Sequence, residues 1–273
     1  HKTSLTNIMH MNQFSLSANI ETGFPEGSQY IVTPNAKKVL AEIVNGYQSG
    51  IHSYTIIGTY GTGKSSFLIA LQNDLSGRSK KKYIFDNIDV LGCEKVETLN
   101  IVGDYASLPL LLARKLNIEG NTASVLDALR AYCNKLNAKN TFLVIMIDEF
   151  GKILEHAAKK DPEGELYFMQ KLAEFANVPT RKVILLTTLH QNFSAYAKGL
   201  SQAQRNEWNK VKGRFKEVVF VEPVEQILML AARQNQAQER NLTEAEEANL
   251  SILYQLAIKT RFVSADFSFE SAK

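Results

Sequence analysis

The apolar positions of this chain switch repeatedly between two periods. Short β-branched or continuous apolar runs fit strands buried on both faces, and they alternate with stretches whose apolar residues recur three and four apart, as in helices. The first helix opens at Thr33-Pro34, with threonine as cap and proline in the first helical position, and continues through Val39, Leu40, Ile43 and Val44 to about Gly46. A strand follows over Ser53–Ile57, then a Gly-rich turn and a helix to about Asp74. Lys95–Val102 reads as a strand, Ser107-Leu108-Pro109 opens a helix ending near Leu116, and Val125, Leu126, Leu129, Tyr132, Cys133 and Leu136 form a helical stripe within 122–136. Phe142–Ile147 is continuously apolar, as in a central strand. Two helices, Phe150–Lys160 and Gly164–Asn177, are separated at Asp161-Pro162. Lys182–Leu189 is a further strand, 192–212 a polar helical insertion, Glu217–Val221 a last strand and Pro223–Arg240 a helix. Thr243-Glu244-Ala245-Glu246 is a capping box that opens one more helix.

This alternation predicts an α/β fold, a parallel sheet flanked by helices on both faces. The expected organisation is an N-terminal segment over 1–33, a core over 34–222 and the start of a helical lid over 223–273. At 273 residues the chain is long enough for one large α/β domain with an appendage. It opens at His1 and reads as an excerpt of a longer protein or one carrying a tag remnant. A net charge of +3 is too small to point to nucleic acid by itself. Cys93 and Cys133 lie far apart without ligand-like neighbours and fit buried thiols in a reducing compartment. The longest apolar stretches fall well short of a membrane span, so the expected location is the cytoplasm.

Chemistry enters at the turn after the first strand. Gly58-Thr59-Tyr60-Gly61-Thr62-Gly63-Lys64-Ser65 has the G-x-x-x-x-G-K-S pattern of a phosphate-binding loop between strand and helix. Its glycines let the backbone wrap an anion, and the helix beginning at Lys64, Ser65 and Ser66 offers its positive end. Lys64 would reach the β- and γ-phosphates of a nucleotide, and Ser65 would ligate Mg²⁺. The apolar run 142–147 ends in Asp148-Glu149, at the carboxyl edge where open sheets bind ligands. Asp148 would hold Mg²⁺ through water, and Glu149 would polarise an attacking water. Other subclasses fit less well. Asn209-Lys210-Val211-Lys212 lacks the acid of a guanine-reading motif, and Leu75-Ser76-Gly77 is only a fragment of a transporter signature.

The order of these features resembles the AAA+ and STAND ATPases, most closely the origin-recognition and Cdc6-like branch, over about residues 34–240. The resemblance implies a sensor strand at Lys182–His190, with Thr188, His190 or Asn192 facing the nucleotide; Leu189 stands where STAND proteins carry arginine. It implies that Arg214, in Gly213-Arg214-Phe215, reaches the γ-phosphate of a neighbouring subunit, although the residues alone fit a surface arginine equally well. It implies that Val221–Arg233 forms the first lid helix and that Arg233 or Arg240 acts as a second sensor. His52 and His156 read as surface residues, Glu163 and Glu165 as first-turn helix acids, and Trp208 as a side chain packed on a missing domain or partner.

The expected function is therefore Mg²⁺-dependent ATP binding and hydrolysis in a homo-oligomeric ring or filament. Turnover would drive or time a conformational change in an effector domain or partner protein. Bacterial anti-phage defence is one setting the resemblance implies. Two alternatives stay open: a slow ATP-dependent oligomerisation switch, and a DNA-binding initiator or loader.

Overall fold

The computed structural model describes residues 19–24, 30–77, 82–118, 124–222 and 244–259. The larger of two compact units runs to Phe220; the smaller takes Thr33–Asn35 and the chain from Val221. In the larger unit, helix α1 (Pro34–Gln48) precedes strand β1 (Ser53–Ile57), and helix α2 (Lys64–Leu75) follows the Gly-rich turn. Next come β2 (Lys95–Val102), α3 (Leu108–Lys115), α4 (Val125–Asn137), β3 (Thr141–Asp148), α5 (Phe150–Lys160) and α6 (Pro162–Ala176). β4 (Val183–Leu189), a 3-10 turn (Phe193–Ala197), α7 (Gln202–Lys212) and β5 (Lys216–Val219) complete it. Helix α8 (Glu244–Lys259) belongs to the smaller unit. There the buried Thr33 hydroxyl donates to the carboxylate of Glu222. The expected lid helix 223–240, with Arg233 and Arg240, and Thr243 of the expected capping box lie outside the described residues.

The five strands of the described residues pair in parallel, in the order β2-β3-β4-β1-β5. The chain leaves β1 for the far edge, returns through β3 and β4, and passes β1 to reach β5. Consequently the turns after β1, β3 and β4 open side by side on one edge of the sheet, where parallel sheets bind ligands.

Strand alternation explains why β3 is apolar from Phe142 to Ile147. Leu143, Ile145 and Ile147 face one cluster with residues of α3 to α7, whereas Phe142, Val144 and Met146 face another with α1 and α2. Both faces are covered, so β3 stays apolar from Phe142 to Ile147, and its last residue, Asp148, is buried at the carboxyl end of the strand. Phe67, Leu68 and Ile69 of α2 are fully buried, so the helix carrying the phosphate loop is fixed to the sheet.

Two local expectations, for His52 and Trp208, are corrected. His52 is buried, its amide donating to Asn177 Oδ1 at 3.0 Å; burial lowers its basicity. Trp208 packs within the same domain: it is fully buried against Phe193 and donates its Nε1–H to the Phe193 carbonyl at 2.9 Å. The polar positions of α7 hid one apolar edge, Trp208 and Val211, that seats the insertion on the core. Glu165 is a first-turn acid, but a buried one. Its Oε2 accepts the Leu108 amide at 3.3 Å, serving the start of α3, where Ser107 makes no side-chain cap. His156, only partly exposed, lies 3.8 Å from the same carboxylate. Cys93 and Cys133 are buried free thiols, and burial raises both pKa values. Among the described residues no helix is long and apolar enough to cross a membrane.

Candidate functional site

The turn after β1 is tied at its base to the strands on either side. Gly58 N donates to Leu189 O at 3.0 Å, and Phe220 N donates to Ile57 O at 2.7 Å. A side chain at Gly58 would place its Cβ 2.2 Å from the Phe220 carbonyl oxygen, so only glycine lets the loop leave the sheet here. Gly61 and Gly63 take positive φ of 76° and 92°, which turns the loop back over the start of α2. The Thr62 hydroxyl closes it by donating to Thr59 O at 2.9 Å.

The N-terminus of α2 fits a phosphate. Its cap position is Gly63, no side chain satisfies its first amides, and its first turn holds no acid. The first helical N–H groups and the helix dipole are thus left for an external anion. Lys64 is buried at this mouth and donates to Gly58 O and Thr59 O, the latter at 2.9 Å. Burial lowers its pKa, while the charges of Asp148 and Glu149 oppose that shift. An ammonium lying between loop carbonyls and two carboxylates is placed to meet the charge of a nucleotide's terminal phosphates. Ser65 and Ser66 lie partly buried in the first turn, and Thr59, Tyr60 and Gly61 form the exposed crest.

The acids sit at the end of β3. Asp148 is buried, and its Oδ1 accepts from the Thr188 hydroxyl at 2.6 Å and the Glu149 amide at 3.1 Å. The Thr188 oxygen also accepts the Glu149 amide, at 3.0 Å. One buried threonine on β4 therefore holds both members of the Asp-Glu pair. Glu149 adopts left-handed φ 56° and ψ 35°, which costs a non-glycine residue about 1–2 kcal/mol. Its Oε2 lies 3.4 Å from His190 Nε2 and 3.7 Å from Lys152 Nζ. His190 follows β4 and stacks on Tyr60 of the phosphate loop, with centroids 3.7 Å apart and planes at 21°. Burial lowers the pKa of His190, and the positive charge of Lys64 adds to that against the pull of Glu149 and Asp148.

The residues present fit a magnesium nucleotide better than a protein-caged metal. No group of three or more His, Cys, Asp or Glu side chains able to hold a metal occurs among the described residues. Magnesium characteristically binds through one or two protein oxygens, phosphates and water, and Ser65 with Asp148 can supply that share.

The structure thus brings Gly58–Ser66, Asp148, Glu149, Thr188 and His190 to one edge. Arg214 is elsewhere. It precedes β5 on the opposite edge, where its guanidinium contacts Glu174 Oε1 at 2.8 Å and Lys210 O at 2.7 Å. Two contributors went unseen in the sequence. Gly103 follows β2, donates to Asp148 O at 2.6 Å, and would put a Cβ 2.2 Å from the Glu149 carbonyl. Lys152 approaches the Glu149 carboxylate from one turn along α5. The glycine directly after a strand end was the available signal for Gly103.

No protein-family model matches the chain, and no curated protein matches it. Solved structures do. The chain is similar to the ORC2 protein of Aeropyrum pernix in its ADPNP-ADP complexes, with 14% identity, a TM-score of 0.50, and coverage of 76% of this chain and 54% of that one. It is also similar to a Walker-type ATPase of Pyrococcus abyssi, with 13% identity, a TM-score of 0.49, and coverage of 95% and 73%. The chain spans about half the length of the Aeropyrum pernix protein. At this identity the likeness is one of fold, a parallel sheet flanked by helices.

Proposed function

We propose that this chain binds ATP with Mg²⁺ and hydrolyses it, as the ATPase part of an oligomerising AAA+-type protein. The observation that carries the reading is the convergence of three charged groups. Lys64 lies under a loop whose helix end is left open to anions, and the carboxylates of Asp148 and Glu149 act on its charge. The fold shared with a protein solved with ADPNP and ADP supports an adenine nucleotide.

In this reading the loop amides and Lys64 bind the phosphates, and Ser65 with Asp148 holds the metal, which screens phosphate charge when bound. Glu149 accepts a proton from the attacking water. Thr188 fixes Asp148 and the Glu149 backbone, so its effect on the nucleotide runs through them. Arg214 completes a neighbour's site. Turnover times a conformational change in attached parts of the protein, an effector in bacterial anti-phage defence being the setting the resemblance implies.

The test is ATP turnover per subunit against protein concentration. Lys64→Ala should lose nucleotide binding, and Glu149→Gln should bind ATP without turning it over. Specific activity should rise with concentration, and Arg214→Ala should remove the rise. Hydrolysis retained by Glu149→Gln would overturn the role of that carboxylate. Flat turnover, or ATP held without detectable hydrolysis, would replace the motor with a slow switch.

A further inference from the structure

Tyr60 stands out among the residues of the phosphate loop. It sits on the crest, 74% exposed, yet one face of its ring lies flat on His190. Phosphate binding through backbone amides needs no aromatic side chain there. His190 in turn is mostly enclosed, with 13% of its side chain exposed. Its two ring nitrogens are treated differently. Nε2 faces Glu149 Oε2 at 3.4 Å, whereas Nδ1 is buried without a hydrogen-bond partner. A neutral imidazole carries a single N–H, and the carboxylate favours having it on Nε2. The protonated edge of the ring then faces the Glu149 carboxylate at 3.4 Å.

These three side chains form a line from the loop to the acid. We propose that His190 is a positioning residue for Glu149, and that Tyr60, by stacking on His190, links the conformation of the phosphate loop to the position of that carboxylate.

Little else holds the carboxylate. Glu149 is fixed at its backbone by Thr188, but its side chain makes ion pairs only with His190 and the half-exposed Lys152 among the described residues. Lys152 is long and solvated, so it orients weakly. His190 is short and packed, and the ring beneath it restricts its tilt. The loop crest is also the part of the site that must adjust when phosphates engage its amides. A shift of the crest by a fraction of an ångström moves Tyr60, then His190, and then the acid. An equivalent shift in a loop without this ring would leave Glu149 untouched.

This inference rests on the reading of Glu149 as the group that activates water, and the experiment separates the two. Tyr60→Ala, Tyr60→Phe, His190→Ala, the Tyr60→Ala/His190→Ala double variant and Glu149→Gln are compared. The readouts are kcat, affinity for a fluorescent ATP analogue, and the His190 C2–H resonance. Tyr60→Ala should lower kcat about tenfold, equivalent to about 1.4 kcal/mol in the barrier, with affinity held within about twofold. Tyr60→Phe, which keeps the ring, should recover most of that loss. The double variant should be no slower than His190→Ala, because residues acting in one line are not additive. The His190 resonance should lose its ring-current shift in Tyr60→Ala and move on nucleotide addition in the wild type. Additive losses, an affinity loss matching the rate loss, or a His190 resonance indifferent to both Tyr60 and nucleotide would each overturn the proposal. If Glu149→Gln itself still hydrolyses ATP, the reading beneath it fails instead.

Discussion

Replacing Thr188 by valine removes one oxygen and leaves the shape of a buried side chain nearly intact. That oxygen donates to Asp148 at 2.6 Å and accepts the Glu149 amide at 3.0 Å. A hydrogen bond to a charged group is worth about 1.5–3 kcal/mol in net stability. The new methyl group returns up to about 0.8 kcal/mol through apolar burial. The Glu149 amide keeps Asp148 Oδ1 at 3.1 Å, so it is not orphaned. The balance is a loss of about 2 kcal/mol, which for a domain of this size lowers Tm by about 4–8 °C. The same change frees the Asp148 carboxylate, proposed above to hold Mg²⁺, to rotate, and loss of such a supporting contact costs about 10–100-fold in metal affinity. Calorimetry, and a Mg²⁺ titration of nucleotide binding, read the two effects separately. Thr188→Ser keeps the hydroxyl and should retain Mg²⁺ dependence while losing about 1 kcal/mol of methyl burial. A Thr188→Val protein that melts within about 1 °C of the wild type, with unchanged Mg²⁺ dependence, would refute the argument.

Two further outcomes follow from contacts elsewhere. Gly103→Ala sets a Cβ 2.2 Å from the Glu149 carbonyl. It should destabilise by about 1–3 kcal/mol in denaturant unfolding and slow turnover by displacing the acid; unchanged stability would show that the strand end can yield. Hydrogen bonds from Lys171, Gln170 and Arg214 hold the Glu174 carboxyl down to about 2, below the usual 4.5. A depressed carboxylate pKa adds stability above its unfolded value and loses it as pH falls through the folded one. The Tm advantage of wild type over Glu174→Gln should therefore fade between about pH 4.5 and about pH 2.

How much of this was legible depends on whether the cause is local. The turn after β1 was readable because its pattern is sequential: the glycines, the lysine and the start of the helix occupy one run, Gly58–Ser66. β3 was readable because burial on both faces leaves an unbroken apolar run over Phe142–Ile147, and Asp148 marks the last residue of the strand. His52 and Trp208 were misread because each is enclosed by elements far along the chain. His52 bonds to Asn177, and Trp208 bonds to Phe193 across the turn before α7. The Thr188 bridge and the stacking of Tyr60 on His190 arise only because β4 inserts between β1 and β3. Strand order is tertiary information, and no period or spacing encodes it.

The same strand order decides what Arg214 can do. β5 pairs with β1 in parallel, Lys216 beside Tyr54 and Val219 beside Ile57. Arg214 is therefore level with His52, and Asn177 joins the two, bonding to the His52 amide and to the Arg214 carbonyl. From that level to Gly58 is six strand positions, about 20 Å at about 3.3 Å per residue. No arginine side chain spans that distance, so Arg214 does not serve the phosphate loop of its own chain. A contact with a nucleotide can come only from a second copy whose loop edge meets this chain's opposite edge. Such a contact joins unlike surfaces, and repeated head-to-tail contacts generate rings when the rotation closes and filaments when it does not. The geometry therefore ties two proposals together. If Arg214 acts in turnover, assembly is head-to-tail; if the protein forms only a symmetric two-fold dimer through like surfaces, Arg214 remains the partner of Glu174 and nothing more.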